Sequence, residues 1–263
     1  MTQEDLTRAR FSATADRLAV LGEERLEELR ETLARFVQPR GDEHALDVGT
    51  GTGPLALALA PLVHDVVGLD LVPEMLAHAR RAAEGIPNLT FVEGDIAHLP
   101  FEVGSFDLVT TSRTIHHVPW PEVAIAEMTR VCRVGGHLLV VDQIASVDPL
   151  EALANNRIQR LRDPSHVRVL ADQDFRFLFD ANNLVLRRSH VDHEDVELDH
   201  YLDLAGCEGE VRAIVVAEVE RLVSAGQTAG LRLRRSGAGY ALTHAIAWYL
   251  LEKPPPAAAT TAI

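Results

Sequence analysis

The chain alternates between short apolar runs and longer segments with apolar residues at helical spacing. Five apolar runs bounded by turn signals predict strands. They are His44–Val48, Val66–Asp70, Leu89–Val92, Phe106–Thr111 and His137–Asp142. Three segments between them predict helices, each with a proline near its start, where a missing N–H costs nothing; these are Pro54–Leu62, Pro73–Glu84 and Trp120–Val131. Repeated strand–helix alternation predicts an α/β fold, a parallel sheet with helices on both faces.

The regions on either side of this alternation carry further elements. Residues from about Glu4 to Phe36 have helical spacing of apolar positions, and Gln38–Asp42 breaks the pattern. After Asp142 the regular alternation of short strands and helices ends. The predicted elements there are helices at Ser146–Arg162, Ala171–Asn182 and Glu208–Ser224 and strands at Leu184–Val191 and Ala241–Leu251. The proline- and alanine-rich residues 254–263 are expected to form a flexible tail.

Composition and charge narrow the class of protein. A chain of 263 residues that is 47% hydrophobic fits one large domain. Its net charge of −14 opposes binding to phosphate backbones, so we expect no nucleic-acid partner. No run of 18 apolar residues occurs, which predicts no transmembrane segment. Two distant cysteines, Cys132 and Cys207, exclude a disulfide framework and favour a cytoplasmic protein.

The most informative segment runs from Ala45 to Leu55, where an apolar strand ends at Val48 and glycine falls at 49, 51 and 53 before a helix. Glycine lets the backbone turn sharply and lets a ligand approach main-chain N–H groups without a Cβ in the way. Dinucleotide sites share this pattern, but their G-x-G-x-x-G order needs glycine where Pro54 stands. Asp47 precedes the glycines and could hold water or the ammonium group of an amino-acid ligand.

Carboxylates follow the next two predicted strands. Asp70 ends the second strand, about 20 residues beyond the first glycine, where it can accept both ribose hydroxyl hydrogens. Asp95 follows the third strand and could accept from an adenine amino group, with Ile96 flanking the ring. Taken alone, Asp95 and Ile96 fit a turn aspartate and a core isoleucine equally well. The carboxylates fit adenosine, whichever kind of cofactor carries it.

Five segments occur in a recognisable order: Leu46–Gly53, Gly68–Asp70, Gly94–Phe101, Ser105–Val109 and Arg133–His137. Together they resemble the class I S-adenosylmethionine-dependent methyltransferases, in particular the UbiE-like small-molecule branch known as methyltransferase type 11. The resemblance continues through Leu161–Arg168 and is weakest after residue 196. It implies a Rossmann-like, doubly wound sheet of seven strands, mostly parallel, with the last strand antiparallel.

The resemblance also implies which residues bind S-adenosylmethionine. It implies that S-adenosylhomocysteine is the product of the cofactor. We expect its methionine end at the glycine turn, its ribose on Asp70 and its adenine beside the third strand, where open α/β sheets bind ligands. The predicted cofactor-binding residues are Asp47, Gly49, Gly51, Thr52, Asp70, Leu71, Met75, Asp95, Ile96 and Ser112. The expected activity is in-line transfer of the methyl group to oxygen, nitrogen or carbon of a small molecule.

Two adjacent histidines follow the fourth strand, beside the expected position of the methyl group. His117 or His116 could remove a proton from the acceptor, although either could simply pack in the loop. Arg113 could contact a carboxylate or be solvated. We predict no metal ligands, because His190 and His193 would face opposite sides of a strand.

The predicted organisation is a single domain over residues 1–253. Residues 1–40 form a helical lid, and segments 146–182 and 196–235 are expected to cap the active site. The sequence is compatible with a homodimer. Two other functions stay open: an S-adenosylmethionine-binding protein without catalysis, and a nicotinamide-dependent oxidoreductase, which Pro54 and Asp47 disfavour.

Overall fold

The computed structural model describes residues 1–256, apart from the side chains of residues 23 and 24. Its elements follow the predicted alternation. The helices are α1 (Gln3–Glu24), α2 (Leu26–Phe36), α3 (Pro54–Leu59), α4 (Pro73–Ala82), α5 (Pro121–Val131), α6 (Pro149–Arg162), α7 (Asp172–Ala181), α8 (Leu198–Leu204) and α9 (Gly209–Ser224). The strands are β1 (His44–Val48), β2 (Asp65–Asp70), β3 (Leu89–Glu93), β4 (Phe106–Ser112), β5 (Cys132–Gln143), β6 (Val185–Glu197), β7 (Arg234–Ser236) and β8 (Gly239–Glu252).

The strands form one sheet in the order β3-β2-β1-β4-β5-β8-β6. Strands β1 to β5 pair in parallel, whereas β8 runs antiparallel to both β5 and β6. This confirms the expected seven-strand arrangement with an antiparallel last strand. The short strand β7, which the sequence did not predict, adds to β8 beside this path.

Local sequence explains where several helices begin. Helices α3, α4, α5 and α6 each have proline in the first turn, as the pattern predicted for the first three. Asp148 caps α6, because its carboxylate accepts from the N–H groups of Leu150 and Glu151. At α3 the preceding residue is Gly53, with φ of +88°, so the chain passes directly from the glycine turn into the helix.

Two apolar layers cover the sheet. Helices α5 and α7 pack on one face, around Ile125, Met128 and Phe175. Helices α2 and α3 pack on the other face, around Leu33 and Leu59. Four of the five residues of β1 are buried, as expected of a central parallel strand covered on both faces.

The N-terminal region, where helical spacing was predicted from about Glu4 to Phe36, is helical. It forms two helices that meet at Arg25, because they pack on different partners. Helix α1 contacts α4 through Ala15 and Met75, whereas α2 buries Leu33 in the layer with α3. The break therefore lets α1 pack against α4 while α2 packs with α3 on one face of the sheet.

A third apolar cluster lies beyond the sheet. It joins α6, α8 and α9 to the beginning of β8 through Ile158, Leu202, Val219 and Leu242. The sequence did not predict α8. Of the predicted tail 254–263, residues 257–263 lie outside the described residues. Within residues 1–256, no helix combines the length and the apolar character needed to cross a membrane.

Candidate active site

A cavity of about 1110 Å³ opens at the carboxyl ends of the parallel strands. All ten predicted cofactor-binding residues line it, and so does His117. Helices α1 and α2 form its roof, and β6 and β8 extend its floor. Within the described chain, no residue of segments 146–182 or 196–235 contributes to the lining. Those segments instead pack behind the cavity wall, so the cover over the cavity comes from α1 and α2.

The glycine turn forms one wall of the cavity. Gly49, Gly51 and Gly53 all have positive φ, at +70°, +58° and +88°. A Cβ on Gly49 would overlap the side chain of Thr114, whose hydroxyl donates to the Gly49 carbonyl at 3.3 Å. The turn therefore needs glycine for its backbone conformation and, at Gly49, also for its packing.

Asp47 braces this turn from below. Its carboxylate is 1% exposed and accepts from the hydroxyls of Thr50 at 2.6 Å and Thr110 at 2.9 Å. Burial raises the pKa of Asp47 to about 7, although the two threonine hydrogen bonds oppose that rise. Both carboxylate oxygens thus have protein partners, and Asp47 shapes the turn as well as touching the cavity.

Asp70 links the turn to the next strand. Its Oδ2 accepts from the N–H of Gly51 at 2.7 Å and its Oδ1 accepts from the N–H of Val72 at 2.9 Å. Burial raises the pKa of this carboxyl, against the effect of these N–H donors. Leu71 and Met75 continue the same wall. The carboxylate is therefore held in one orientation by backbone donors.

Asp95 and Ile96 form the wall beyond β3. The Oδ1 of Asp95 accepts from the N–H of Ala97 at 2.9 Å, and His98 lies 3.4 Å from Oδ2. Ile96 is partly buried against the apolar layer of α5 and α7. Asp95 therefore has the bond of a turn aspartate and Ile96 has the contacts of a core residue, as the alternative interpretation expected. Both residues also line the cavity.

The two histidines after β4 have different environments. His116 is 6% exposed, its Nδ1 lies 2.6 Å from Asp142 Oδ1, and it is absent from the described cavity lining. His117 lines the cavity, packs edge-on against Phe11, and has Nδ1 3.1 Å from the carbonyl of Ser165. A carbonyl only accepts, so Nδ1 of His117 carries the proton and Nε2 is the basic nitrogen. Burial lowers the pKa of His117 to about 3.

The segment Leu161–Arg168 explains the position of His117. The Ser165 hydroxyl donates to Asp163 at 2.6 Å, and Asp163 pairs with Arg10 of α1 at 2.8 Å. Burial opposes ionisation of Asp163, but Arg10 holds its pKa below the ordinary range. Sequence reasoning missed Asp163 and Ser165 as site residues. The matching phrase over residues 161–168 was the available signal.

An ion-pair network joins the lid to the floor. Glu194 of β6 accepts from Arg113 at 2.5 Å and from Arg25, at the α1–α2 junction, at 3.0 Å. Arg113 has φ of +54°, a conformation that a residue with a Cβ adopts only under constraint. Of the two roles predicted for Arg113, contact with a carboxylate is the one observed, and that carboxylate belongs to Glu194 of β6.

The floor of the cavity crosses four strands. Ser112 pairs in register with Val141, Val141 with Trp248, and Trp248 with His190, and all four side chains line the cavity. Since neighbouring strands lie about 4.8 Å apart, this row spans about 14 Å. At its far end His190 bonds Asp192 at 2.9 Å, while His193 lies 3.0 Å from Arg232.

Comparison with known proteins identifies relatives of this architecture. The sequence profile of the methyltransferase domain family matches residues 46–140. The chain is 34% identical to the uncharacterized methyltransferase YcgJ of Bacillus subtilis over 176 residues, 66% of this chain and 70% of that protein. It is 36% identical to the demethylmenaquinone methyltransferase of Beutenbergia cavernae over 162 residues, 61% of this chain and 65% of that relative.

The crystal structure of B. subtilis YcgJ has the same fold. It superposes with a TM-score of 0.79 and 25% identity, covering 88% of this chain and 100% of that chain. The structural match therefore extends well beyond residues 46–140, which the sequence profile covers.

Proposed function

The chain belongs to the S-adenosylmethionine-dependent methyltransferases that act on small molecules, and from that premise we propose how its cavity divides. The end lined by the glycine turn, Asp70 and Asp95 binds the cofactor. The end over the row from Val141 to His190 binds the acceptor. The observation that carries this division is that the ten residues expected at the cofactor all line a single cavity, at the ends of β1 to β4.

The cofactor wall has the donors and acceptors that adenosine and an amino acid need. Asp70 and Asp95 accept only backbone N–H groups and the weakly placed His98, so each carboxylate keeps lone pairs for ribose or adenine donors. A Cβ on Gly51 would lie 3.2 Å from Met75 Cε, closer than a Cβ normally approaches a neighbouring atom. Glycine at this position therefore leaves the space beside the turn's backbone to Met75 or to a ligand.

The acceptor end is apolar in the middle and polar at its edge. Val141, Ile246 and Trp248 form its floor, and Leu29 and Phe36 of α2 face them. Arg188, His190 and Asp192 line its far end. This distribution supports a small acceptor with a largely apolar body and a polar group at the end remote from the transferred methyl group.

His117 is the group that we assign to proton removal. When bound, S-adenosylmethionine supplies a methyl group on a positively charged sulfur, which the acceptor atom attacks in line. His117 is uncharged at neutral pH because its pKa is about 3, and its Nδ1–H is engaged by Ser165. A pKa of about 3 makes Nε2 a weak base. It therefore accepts the proton of an acceptor hydroxyl or amine in concert with attack on the methyl group, when bond formation has made that proton acidic. His116, behind the wall, orients the loop through Asp142.

Calorimetric titration with S-adenosylmethionine, S-adenosylhomocysteine and NADH tests the cofactor. We expect binding of the first two at about micromolar Kd and none of NADH. Asp70→Ala should weaken binding by about tenfold to a hundredfold, the loss of a charge-assisted pair of hydrogen bonds. Asp180→Ala is the matched control, since Asp180 is an exposed carboxylate outside the cavity lining. Equal affinities in the two variants would refute the ribose assignment.

Binding alone does not separate an enzyme from a silent binding protein. The second measurement is therefore release of S-adenosylhomocysteine on incubation with a pool of cell metabolites. We expect release that depends on the added pool and is lost in His117→Ala. Tight binding without any release, across pools from several sources, would favour the non-catalytic function.

A further inference from the structure

Two histidines and an aspartate converge at the amino ends of β1 and β2, on the edge of the sheet opposite the cavity. His44 is the first residue of β1 and Asp65 is the first residue of β2. The parallel register pairs these two residues directly, and His64 precedes Asp65 in the chain. His44 and His64 are far apart in sequence, so only the strand pairing brings the three side chains together.

The three side chains have the geometry of a nearly formed metal site. Asp65 Oδ2 lies 2.9 Å from His44 Nδ1 and 3.8 Å from His64 Nε2. The two imidazole rings are 5.0 Å apart, and one ligand atom from each residue lies within 4.8 Å of the others. In a tetrahedral zinc site with bonds of about 2.0–2.1 Å, ligand atoms are about 3.3 Å apart. Small side-chain rotations would therefore close the triangle around an ion.

The backbone under these side chains is already fixed. The N–H groups of His64 and Asp65 both donate to the Glu43 carbonyl, at 2.9 and 3.4 Å. The N–H of His44 donates to Asp107 Oδ2 at 2.8 Å. In contrast, the side chains of His44 and His64 are 52% and 64% exposed, so they can turn toward an ion without disturbing the core.

We propose that His44, His64 and Asp65 bind a divalent transition-metal ion of the zinc class, with water completing the coordination. Two imidazole nitrogens and one carboxylate suit zinc, whereas magnesium and calcium prefer oxygen ligands alone. The ion clamps β1 to β2 and stabilises the native chain, because the ligands meet only when the strands pair. The site shares no residue with the cavity lining, so it stands apart from the proposed methyl transfer.

Calorimetric titration of the tag-free full chain with ZnCl₂ tests the site. We expect one equivalent of zinc to bind and the same titration with MgCl₂ to give no binding. His64→Ala and Asp65→Asn should each weaken zinc binding by at least about tenfold. His200→Ala is the control, because His200 is an exposed histidine outside this cluster and should leave the isotherm unchanged.

Thermal unfolding with and without zinc gives an independent measurement. The wild-type chain and His200→Ala should melt at higher temperature with zinc, and the two cluster variants should not. Asp65→Asn preserves the shape of the side chain, so it keeps the test valid if His64→Ala folds poorly. Absence of binding in the wild type, or identical isotherms for all four chains, would overturn the assignment.

Discussion

The two ends of the cavity are built in different ways. At the cofactor end, the groups that hold each other are close in sequence or on paired strands: Asp47 with Thr50, and Asp70 with Val72 and Gly51. At the acceptor end, α2 of the N-terminal lid faces β8, at the far end of the chain, and edge strand β6. The ion pair between Glu194 of β6 and Arg25 of the lid joins two of these distant segments.

This difference separates an end of the cavity built from one continuous stretch from an end built from distant segments. The residues proposed at the cofactor all lie within residues 46–112, inside the part that matches the family profile. The acceptor end depends on the packing of segments distant in sequence. Changes at the cofactor end should therefore abolish cofactor binding, while changes at the acceptor end should alter substrate preference alone.

The largest expected effect follows from replacing Gly49 with alanine. The new Cβ meets Thr114 in addition to the strain of positive φ, so the turn must move. We expect the Kd for S-adenosylhomocysteine to rise more than about a hundredfold. Gly41→Ala is the matched control, because Gly41 has φ of +94° and a Cβ added there would meet no atom within 4 Å. Similar affinities in both variants would show that the overlap at Gly49 does not disturb the cofactor site.

Replacing His117 with alanine should lower kcat by about a hundredfold, the usual contribution of a positioned base. The Kd for S-adenosylhomocysteine should stay within about twofold, since His117 touches the acceptor side of the reacting atoms. The contrasting variant is His116→Ala, which leaves the buried Asp142 without its partner and should reduce the free energy of unfolding. A fully active His117→Ala enzyme would remove His117 from the reaction.

Acid should destabilise the fold through three buried histidines, and the buried carboxyl of Asp47 should partly offset that effect. Burial lowers the pKa of His117, His166 and His244 to about 3, 2 and 3. These histidines stay neutral in the fold, so their contribution is present above about pH 6.5 and is lost as pH falls. Asp47, with its pKa raised to about 7, has the opposite sign, because its contribution is lost as pH rises through 7.

Between pH 6 and 5 these four groups leave the unfolded chain with about two more protons than the folded chain. The free energy of unfolding should then fall by about 2.7 kcal/mol for each unit by which the pH is lowered in this range. Urea unfolding at pH 5, 5.5 and 6 measures this slope. His244→Gln should reduce it by about half, and an unchanged slope in that variant would show that His244 titrates normally in the fold.

The smallest effect is expected at the acceptor floor. Trp248→Leu removes an aromatic surface from the middle of the row between Val141 and His190. We expect the KM for the acceptor to rise by about tenfold while the Kd for S-adenosylhomocysteine is unchanged. Trp120→Leu, at an exposed position on the rim, is the control. A loss of cofactor affinity in Trp248→Leu would contradict the division of the cavity into two ends.

Particular residues show how far sequence reasoning reached. Asp70 was placed correctly on the cavity because a carboxylate directly after a parallel strand must lie at the sheet's carboxyl edge. His116 and His117 were indistinguishable, because neighbouring residues in a turn differ only in which one the fold buries. Segments 146–182 and 196–235 were expected to cover the cavity together with residues 1–40, but of these three only residues 1–40, through α1 and α2, line it.

Apolar spacing, proline and glycine positions and carboxylates at strand ends were enough to predict seven of the eight strands, most of the helices and ten residues that line the cavity. Only the folded chain shows the break at Arg25, the Glu194 network, the tautomer of His117 and the meeting of His44 with His64 and Asp65. Those features depend on contacts between distant segments. Their geometry comes from strand order and helix packing, which no local pattern encodes.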